Sequence, residues 1–340
     1  MVSSSQKIAV VILNWNGKKH LQEFLPSVVT HTPSCIDIVV ADNGSTDDSI
    51  KFVKENFPSI IITKNPKNGG FAKGYNDALK QINADIYILL NSDVEVSSNW
   101  IEPLIERLNS NDLVAACQPK ILSYKEKNKF EHAGAAGGFI DKFGFAFCRG
   151  RIFDSIEDDN HQYQQSTEIF WATGACMAIK ADLFHQVGGF DEEFFAHMEE
   201  IDLCWRLKNN GYQIWYEANS TVYHLGGGTL NYDSPQKIFL NFRNNLFLIT
   251  KNKASNFIAF DIFIRLILDG IAGIFFLVNG NTKGLIAVLK AHFAYYTSLG
   301  KMLQKRKQII QKENLSGIYT KSIVWNYFIK KKRKFSELVF

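Results

Sequence analysis

No CxxC pair occurs among the five cysteines (Cys35, Cys117, Cys148, Cys176 and Cys204), which are odd in number and widely scattered. Their spacing excludes a zinc knuckle and a disulfide framework, and fits a reducing cytoplasm. A charged-then-apolar leader is missing as well: "IAVVIL" is too short for one and predicts a first strand. The most apolar stretch, from Phe257 to Val278, is interrupted by Asp261, Arg265 and Asp269, a heavy cost for a membrane-spanning helix. Bulk charge of one sign is also lacking, since 38 Lys and Arg against 34 Asp and Glu leave a net charge of +4. What the chain does have is an apolar content of 46% with 21% charged residues, which describes a globular protein and not a disordered one. At 340 residues it exceeds one typical domain. The expected division is a first domain over residues 1–250 and a C-terminal amphipathic helical region with a basic tail over 251–340.

Residues 7–120 alternate strand and helix signals. The apolar runs "KIAVVILNW", "DIVVADNGS", "SIIITKN" and "DIYILLNSD" predict four strands. Between them, "KKHLQEFLPSVVT", "DDSIKFVKENF" and "GFAKGYNDALKQI" carry helical spacing, the last through Phe71, Tyr75, Ala78 and Ile82. Repeated βα units of this kind predict an α/β fold with a mostly parallel sheet flanked by helices. Ligands bind such sheets beyond the carboxyl ends of the strands. Those ends are Asn14, Asp42-Asn43-Gly44-Ser45, Lys64-Asn65 and Asn91-Ser92-Asp93. One rim therefore gathers an unusual set of polar groups.

Each group also has an ordinary reading. Asn91-Ser92-Asp93 is a common turn composition, yet its oxygens equally suit Mg²⁺ or Mn²⁺. Ser45 through Asp48 read as a helix N-cap, which leaves Asp42 unexplained. Gly69, Gly70 and Gly74 permit close backbone approach to a phosphate-like ligand at a helix start. "EDDNHQ" (157–162) predicts an exposed loop near a substrate. Residues 198–209 predict a helix closed by Asn210-Gly211. On it, Asp202 and Arg206 read as an i,i+4 ion pair. Glu200 shares a face with Leu203 and Leu207, apolar neighbours that raise a carboxylate's pKa toward that of a general base. Glu199, in the same turn, is a second candidate base or a partner of the helix macrodipole. His224, in "VYHLGGGT", follows a strand-like run and is a candidate nitrogen ligand for a metal.

Taken in order, the motifs "VVILNWNG", "VVADNGSTDDS", "NGGFAKGYN", "LLNSDVEV", "TGACMAIKADLFHQVGGFDEEFF", "EEIDLCWRL" and the histidine of "VYHLGGG" resemble those of the inverting glycosyltransferases of family 2. The likeness is greatest to a bacterial rhamnosyltransferase-like branch and covers residues 7–245. It implies the GT-A fold with a C-terminal helical extension. The implied activity moves a sugar from a UDP- or dTDP-sugar, dTDP-rhamnose among them, to a hydroxyl of a glycan or lipid-linked acceptor in cell-surface polysaccharide synthesis. The resemblance also implies a nucleotide site of Asn14, Asn16, Asp42, Gly69, Phe71, Asn76 and Ser92, with Asp42 accepting the pyrimidine N3–H. It places a divalent cation, Mg²⁺ or Mn²⁺, on Asp93, Asn91 and His224, makes Glu200 the general base with Glu199 as the alternative, and puts Trp171 and Gly174 on the acceptor side. Two positions depart from the family pattern. Asn91 replaces the first acid of the DxD metal motif, which leaves Asp93 as the main metal carboxylate, and Glu200 stands where Asp is commoner.

In the C-terminal region, Asp261, Arg265 and Asp269 fall at i, i+4 and i+8 and form one stripe. The helix they predict is amphipathic, lying in a membrane interface or packed on the first domain. The run Lys330 to Lys334 either attracts anionic lipid headgroups or stays solvated. Expected partners are a nucleotide-sugar, a glycan acceptor and an anionic membrane surface, at the inner face of the cell membrane. Nucleic acid is not among them, because Trp325, Tyr327 and Phe328 read as a helix's apolar side and not as stacking platforms. Two other classes compete: a non-catalytic, membrane-associated nucleotide-sugar-binding protein, and a sugar nucleotidyltransferase. The latter's Gly-rich, Arg/Lys-containing loop is absent after the first strand.

Overall fold

The structure, a computed structural model, describes residues 6–226 and 234–340. The first four apolar runs form β1 (Ile8–Asn14), β2 (Asp37–Asp42), β3 (Ile61–Lys64) and β4 (Ile86–Asn91), separated by α1 (Lys18–His31), α2 (Ser49–Asn56) and α3 (Gly70–Leu79). These strands are mutually parallel. Alternate residues of β1 serve two cores. Val10 and Ile12 join Leu21, Leu25 and Val28 of α1 on one face, while Ala9 and Val11 join Ala72, Tyr75 and Leu79 of α3 on the other. Helices on both faces are the reason the strand is apolar throughout and not alternating.

After β4 the chain doubles back as β5 (Val94–Val96), runs through α4 (Glu102–Asn109) and enters β6 (Val114–Ser123). Four short strands follow: β7 (Gly138–Asp141), β8 (Ala146–Cys148), β9 (Arg151–Ile152) and β10 (Ser155–Ile156). The chain returns to the large sheet with β11 (Thr167–Ile169) and β12 (Cys176–Lys180), and continues through α5 (Ala181–Gln186), α6 (Glu199–Asn209) and β13 (Gln213–His224). Among the described residues the large sheet runs β11-β13-β6-β12-β4-β1-β2-β3, with β5 on β13. Because β12 is antiparallel to both β4 and β6, and β13 is parallel to β6, the ends of β4, β6 and β13 reach the same edge.

The 157–162 loop is largely exposed, as expected, but two of its acids anchor it. Glu157 accepts from the Tyr163 hydroxyl and from the Phe335 N–H, and Asp159 forms a buried ion pair with Lys120 at 2.8 Å. These distant partners carry no local sequence signal.

The C-terminal region consists of α7 (Pro235–Asn252), α8 (Ile258–Val278), α9 (Thr282–Gln308) and β14 (Ile318–Tyr319). The boundary proposed after residue 250 falls within the last turn of α7. β14 extends the small sheet by pairing with β7, and Phe335 and Phe340 pack on Phe139. A chain of buried ions joins α6, α7 and the loop before α6. Lys251 pairs with Asp202 at 2.8 Å and with Asp191, while Arg206 holds the other oxygen of Asp202 at 2.8 Å. The i,i+4 pair read from the sequence is thus one link of a larger network.

Candidate active site

Strand register brings the polar ends together. Asn14 lies beside Asp42, Asp42 beside Lys64, and Asn91 beside Leu13. β12 starts opposite Leu90, so residues 173–175 enter at the same edge. Val94 pairs with His224, which sets Asp93 against the histidine ring.

On the side of β1 to β3, several expected ligand residues turn out to build the rim itself. The Asn14 amide donates to Ser45 Oγ at 3.1 Å and Ser49 Oγ at 2.9 Å, and its buried Oδ1 has no partner. Asn16 Oδ1 accepts from the backbone of Thr46 at 2.7 Å and Asp47 at 3.2 Å, holding the loop that follows Asp42. Asp42 uses Oδ1 to accept from Ser45 N at 3.1 Å. Asn76 clamps Phe190, donating to its carbonyl at 2.8 Å and accepting from its N–H at 2.9 Å. Ser92 is half-buried beside the β1 turn.

The glycines permit a close backbone approach by the chain itself. Gly70 has φ +78, and a Cβ there would meet the Phe195 carbonyl oxygen at 2.6 Å. That same carbonyl accepts from Phe71 N at 2.9 Å. The start of α3 therefore receives a backbone oxygen from the segment before α6. Gly69 N donates to Asn43 Oδ1 at 3.3 Å, and Asn43 also binds the Gly70 carbonyl at 3.0 Å. Phe71 lies half-buried against Tyr75 and Phe190, and Gly174 is bare enough to admit its ring: a Cβ there would stand 2.9 Å from Cζ. Trp171, expected on the acceptor side, is buried, and its indole N–H donates to the Phe139 carbonyl at 2.9 Å.

At the end of β4, His224 Nε2 stands 3.2 Å from Asp93 Oδ1, and Nδ1 stands 3.1 Å from a Glu131 carboxylate oxygen. Burial pulls the imidazole down, but the two carboxylates outweigh it and lift the group to about 10. Burial alone would raise Asp93 and Glu131; the hydrogen bond and charge of His224 win, so both lie below their ordinary values. Among the described residues, no group of three or more His, Cys, Asp and Glu side chains is arranged to hold a metal alone. Mg²⁺-like ions are held by one or two carboxylates and complete the shell with water and phosphate, so Asp93 is the candidate primary donor here. In the structure the 3.2 Å contact is a hydrogen bond from the charged imidazole to Asp93, so His224 would have to give up its Nε2 proton to join Asp93 on an ion. A carboxylate on the far ring nitrogen is the usual outer-shell support of a metal-bound histidine. Glu131 escaped the sequence reading, because "FEHAG" has no spacing that ties it to residue 224. Asn91 sits half-buried at the same strand end.

The segment leading into α6 is strained and strapped down. Phe195, His197 and Met198 all have positive φ (62, 69 and 72), a conformation that costs non-glycine residues energy and concentrates at functional sites. Asn244 of α7 holds it, its amide donating to the carbonyls of Phe194 at 2.9 Å, Ala196 at 2.9 Å and His197 at 2.7 Å. Arg243 adds a bond to the Glu193 carbonyl at 3.0 Å. Asn244→Leu removes this amide donor from the Ala196 and His197 carbonyls, while the Phe194 carbonyl keeps Arg243 and Ala196 N as donors. The substitution is expected to lower stability by about 3 kcal/mol, read from urea unfolding against the unchanged protein. An effect below about 0.5 kcal/mol, the scatter of ordinary surface substitutions, would show that the strap is idle.

Directly after this loop, α6 opens with two adjacent glutamates in different settings. Glu199 is 4% exposed, and burial together with the neighbouring Glu200 charge pushes its carboxyl well above the ordinary value. Glu200 is less enclosed, and burial pushes it up to about 7. One oxygen of each, Oε2, lacks a partner. Burial and the adjacent charge disfavour the ionised form of Glu199, while Glu200, raised to about 7, is poised to exchange a proton.

The profile of the family Glycosyl transferase family 2 matches residues 9–188. The N-acetylglucosaminyl-diphospho-decaprenol L-rhamnosyltransferase of Mycobacterium tuberculosis is 24% identical over 233 residues, 64% of this chain and 75% of the relative. The crystal structure of GalNAc-T7 with UDP, GalNAc and Mn²⁺ superposes with a TM-score of 0.57 at 17% identity, over 73% of this chain and 48% of that one. The mannosyltransferase PcManGT from Pyrobaculum calidifontis, in complex with GDP-Man and Mn²⁺, gives 0.52 at 12% identity, over 86% and 88%.

Proposed function

The chain belongs to the family 2 glycosyltransferases, and from that premise we propose that it inverts a sugar's anomeric centre while moving it from a UDP- or dTDP-sugar to a hydroxyl of a lipid-linked glycan. dTDP-rhamnose falls within that donor range, because the Mycobacterium tuberculosis relative is named a rhamnosyltransferase and its name carries a diphospho-decaprenol. Membership in the family sets aside the nucleotidyltransferase alternative. The observation that carries the reading is Glu200, a carboxylate raised to about 7 with an unpartnered oxygen, beside a more deeply buried glutamate whose carboxyl is pushed well up.

In this reading Glu200 Oε2 takes the proton of the acceptor hydroxyl as its oxygen attacks the anomeric carbon. The new C–O bond forms as the bond to the diphosphate breaks, so the configuration inverts in one displacement with no bond to the enzyme. Asp93 and His224 would hold the divalent cation, with Glu131 fixing the ring, and the ion when bound supplies positive charge for the departing diphosphate. Asp42 accepts the N3–H of the base through the oxygen that Ser45 leaves free. Phe71, backed by Gly174, forms the wall nearest the nucleoside. Gly69 and Asn43 keep that wall in register.

Proton NMR of the first product formed from an α-linked nucleotide-sugar tests the stereochemistry. The expected product is β-linked. An α-linked product would mean retention of configuration and would overturn the inverting displacement.

A further inference from the structure

α8 is inside out. Over its 21 residues, the charged side chains face the protein: Arg265 pairs with Asp269 at 2.7 Å and lies over the Phe145 ring, and Asp261 pairs with Lys253. The outward stripe is apolar instead, formed by Phe260, Phe263, Ile267, Ile271, Ile274 and Val278, all exposed. At 1.5 Å per residue this stripe is about 30 Å long. Antiparallel to it across a short turn, α9 adds exposed Ile286, Leu289 and Phe293. Near the end of α8, Phe275 contacts Phe328, which joins exposed Trp325 and Ile329 to the same surface. An exposed apolar surface of this extent marks an interaction site.

Charge selects the occupant. Lys283 and Lys290 are exposed on α9 and flank Ile286 at i−3 and i+4, and Lys330 and Lys331 are exposed directly after Ile329. No Asp or Glu occurs between Asp269 and Glu313. Two copies joined face to face would therefore bring cations against cations. An anionic bilayer offers both an apolar interior for the stripe and phosphates for its basic rim. No helix among the described residues is long and apolar enough to cross a membrane, so the face would lie in the interface and not span it.

We propose that the outward face of α8 and α9, with the Trp325–Lys331 segment, docks the enzyme onto an anionic lipid surface. The biological sense of this docking rests on the lipid-linked acceptor proposed above. The same α7–α9 bundle straps the loop that leads into Glu200, so docking would present the active site to acceptors rooted in the bilayer.

Flotation of the full chain with phosphatidylcholine vesicles, with and without phosphatidylglycerol, tests the proposal. The chain is expected to float with the anionic vesicles. Ile267→Glu with Ile271→Glu should reduce binding by roughly a hundredfold or more. Lys283→Ala with Lys290→Ala, a milder pair that keeps the apolar stripe, should reduce binding to anionic vesicles by about thirtyfold. Both variants should retain transfer to a soluble acceptor. A chain that stays at the bottom of the gradient, or floats equally well in both variants, overturns the proposal. So does light scattering that shows a dimer broken by the stripe variant, with no lipid bound. Flotation without sugar transfer would leave the docking face standing and fail the transferase reading instead.

Discussion

Glu200→Gln is expected to lower kcat by about 10³-fold while leaving donor affinity nearly unchanged. The amide keeps the size and shape of the side chain and removes only its ability to accept a proton. The pH profile gives the sharper signature. Burial lifts the Glu200 carboxyl to about 7, and a base acts only when deprotonated. Activity should therefore fall as pH drops below about 7 and level off above it, and this limb should vanish in the Gln variant. Glu199→Gln serves as the control. Burial and the neighbouring charge disfavour ionisation of that carboxyl, so the loss on replacing it with a neutral amide should stay within about tenfold. If the Glu199 variant were the inactive one and the Glu200 variant active, the roles would be reversed.

Asp93→Ala should lower kcat by a comparable factor, about 10³-fold, and remove any dependence on added Mn²⁺ or Mg²⁺. The carboxylate has two functions at its position. It would be the main carboxylate of the proposed metal site, and it is the acid that balances the buried imidazole. Its loss leaves His224 facing Glu131 alone, so metal binding should weaken even though the histidine remains. His224→Gln should show the same direction at smaller size, because the main carboxylate survives. Activity that is metal-independent in the unchanged protein and unaffected by Asp93→Ala would place leaving-group stabilisation elsewhere.

The rim of the sheet was legible because it depends on local rules. Apolar runs buried on both faces and ended by Asn or Asp predict parallel strands with polar carboxyl ends, and Asn14, Asp42 and Asn91 sit where that rule puts them. The nearness of Asp93 to His224 follows from one further step, the doubling back of β5 onto β13. Partners brought from far along the chain left no such trace. Glycine at a helix start leaves room for a ligand or for another chain segment, and the close approach of the Phe195 carbonyl to Gly70, supplied by the loop before α6, has no local sequence signal. Asn76 likewise closes on Phe190. Glu131 and Asn244 act through residues distant in sequence, and neither belongs to a spaced motif. For α8 the charged stripe was visible from its i,i+4,i+8 spacing, but the direction it faces depends on α7, α9 and the Phe145 loop.

Isothermal titration of the purified chain with UDP, dTDP, GDP and CMP, each with and without Mn²⁺, tests the central claim most directly. The account predicts selective binding of UDP or dTDP, strengthened by the metal and weakened in Asp93→Ala. A folded protein that binds none of the four with metal present, or binds them equally well without it, would contradict a donor site built on Asp42, Asp93 and His224.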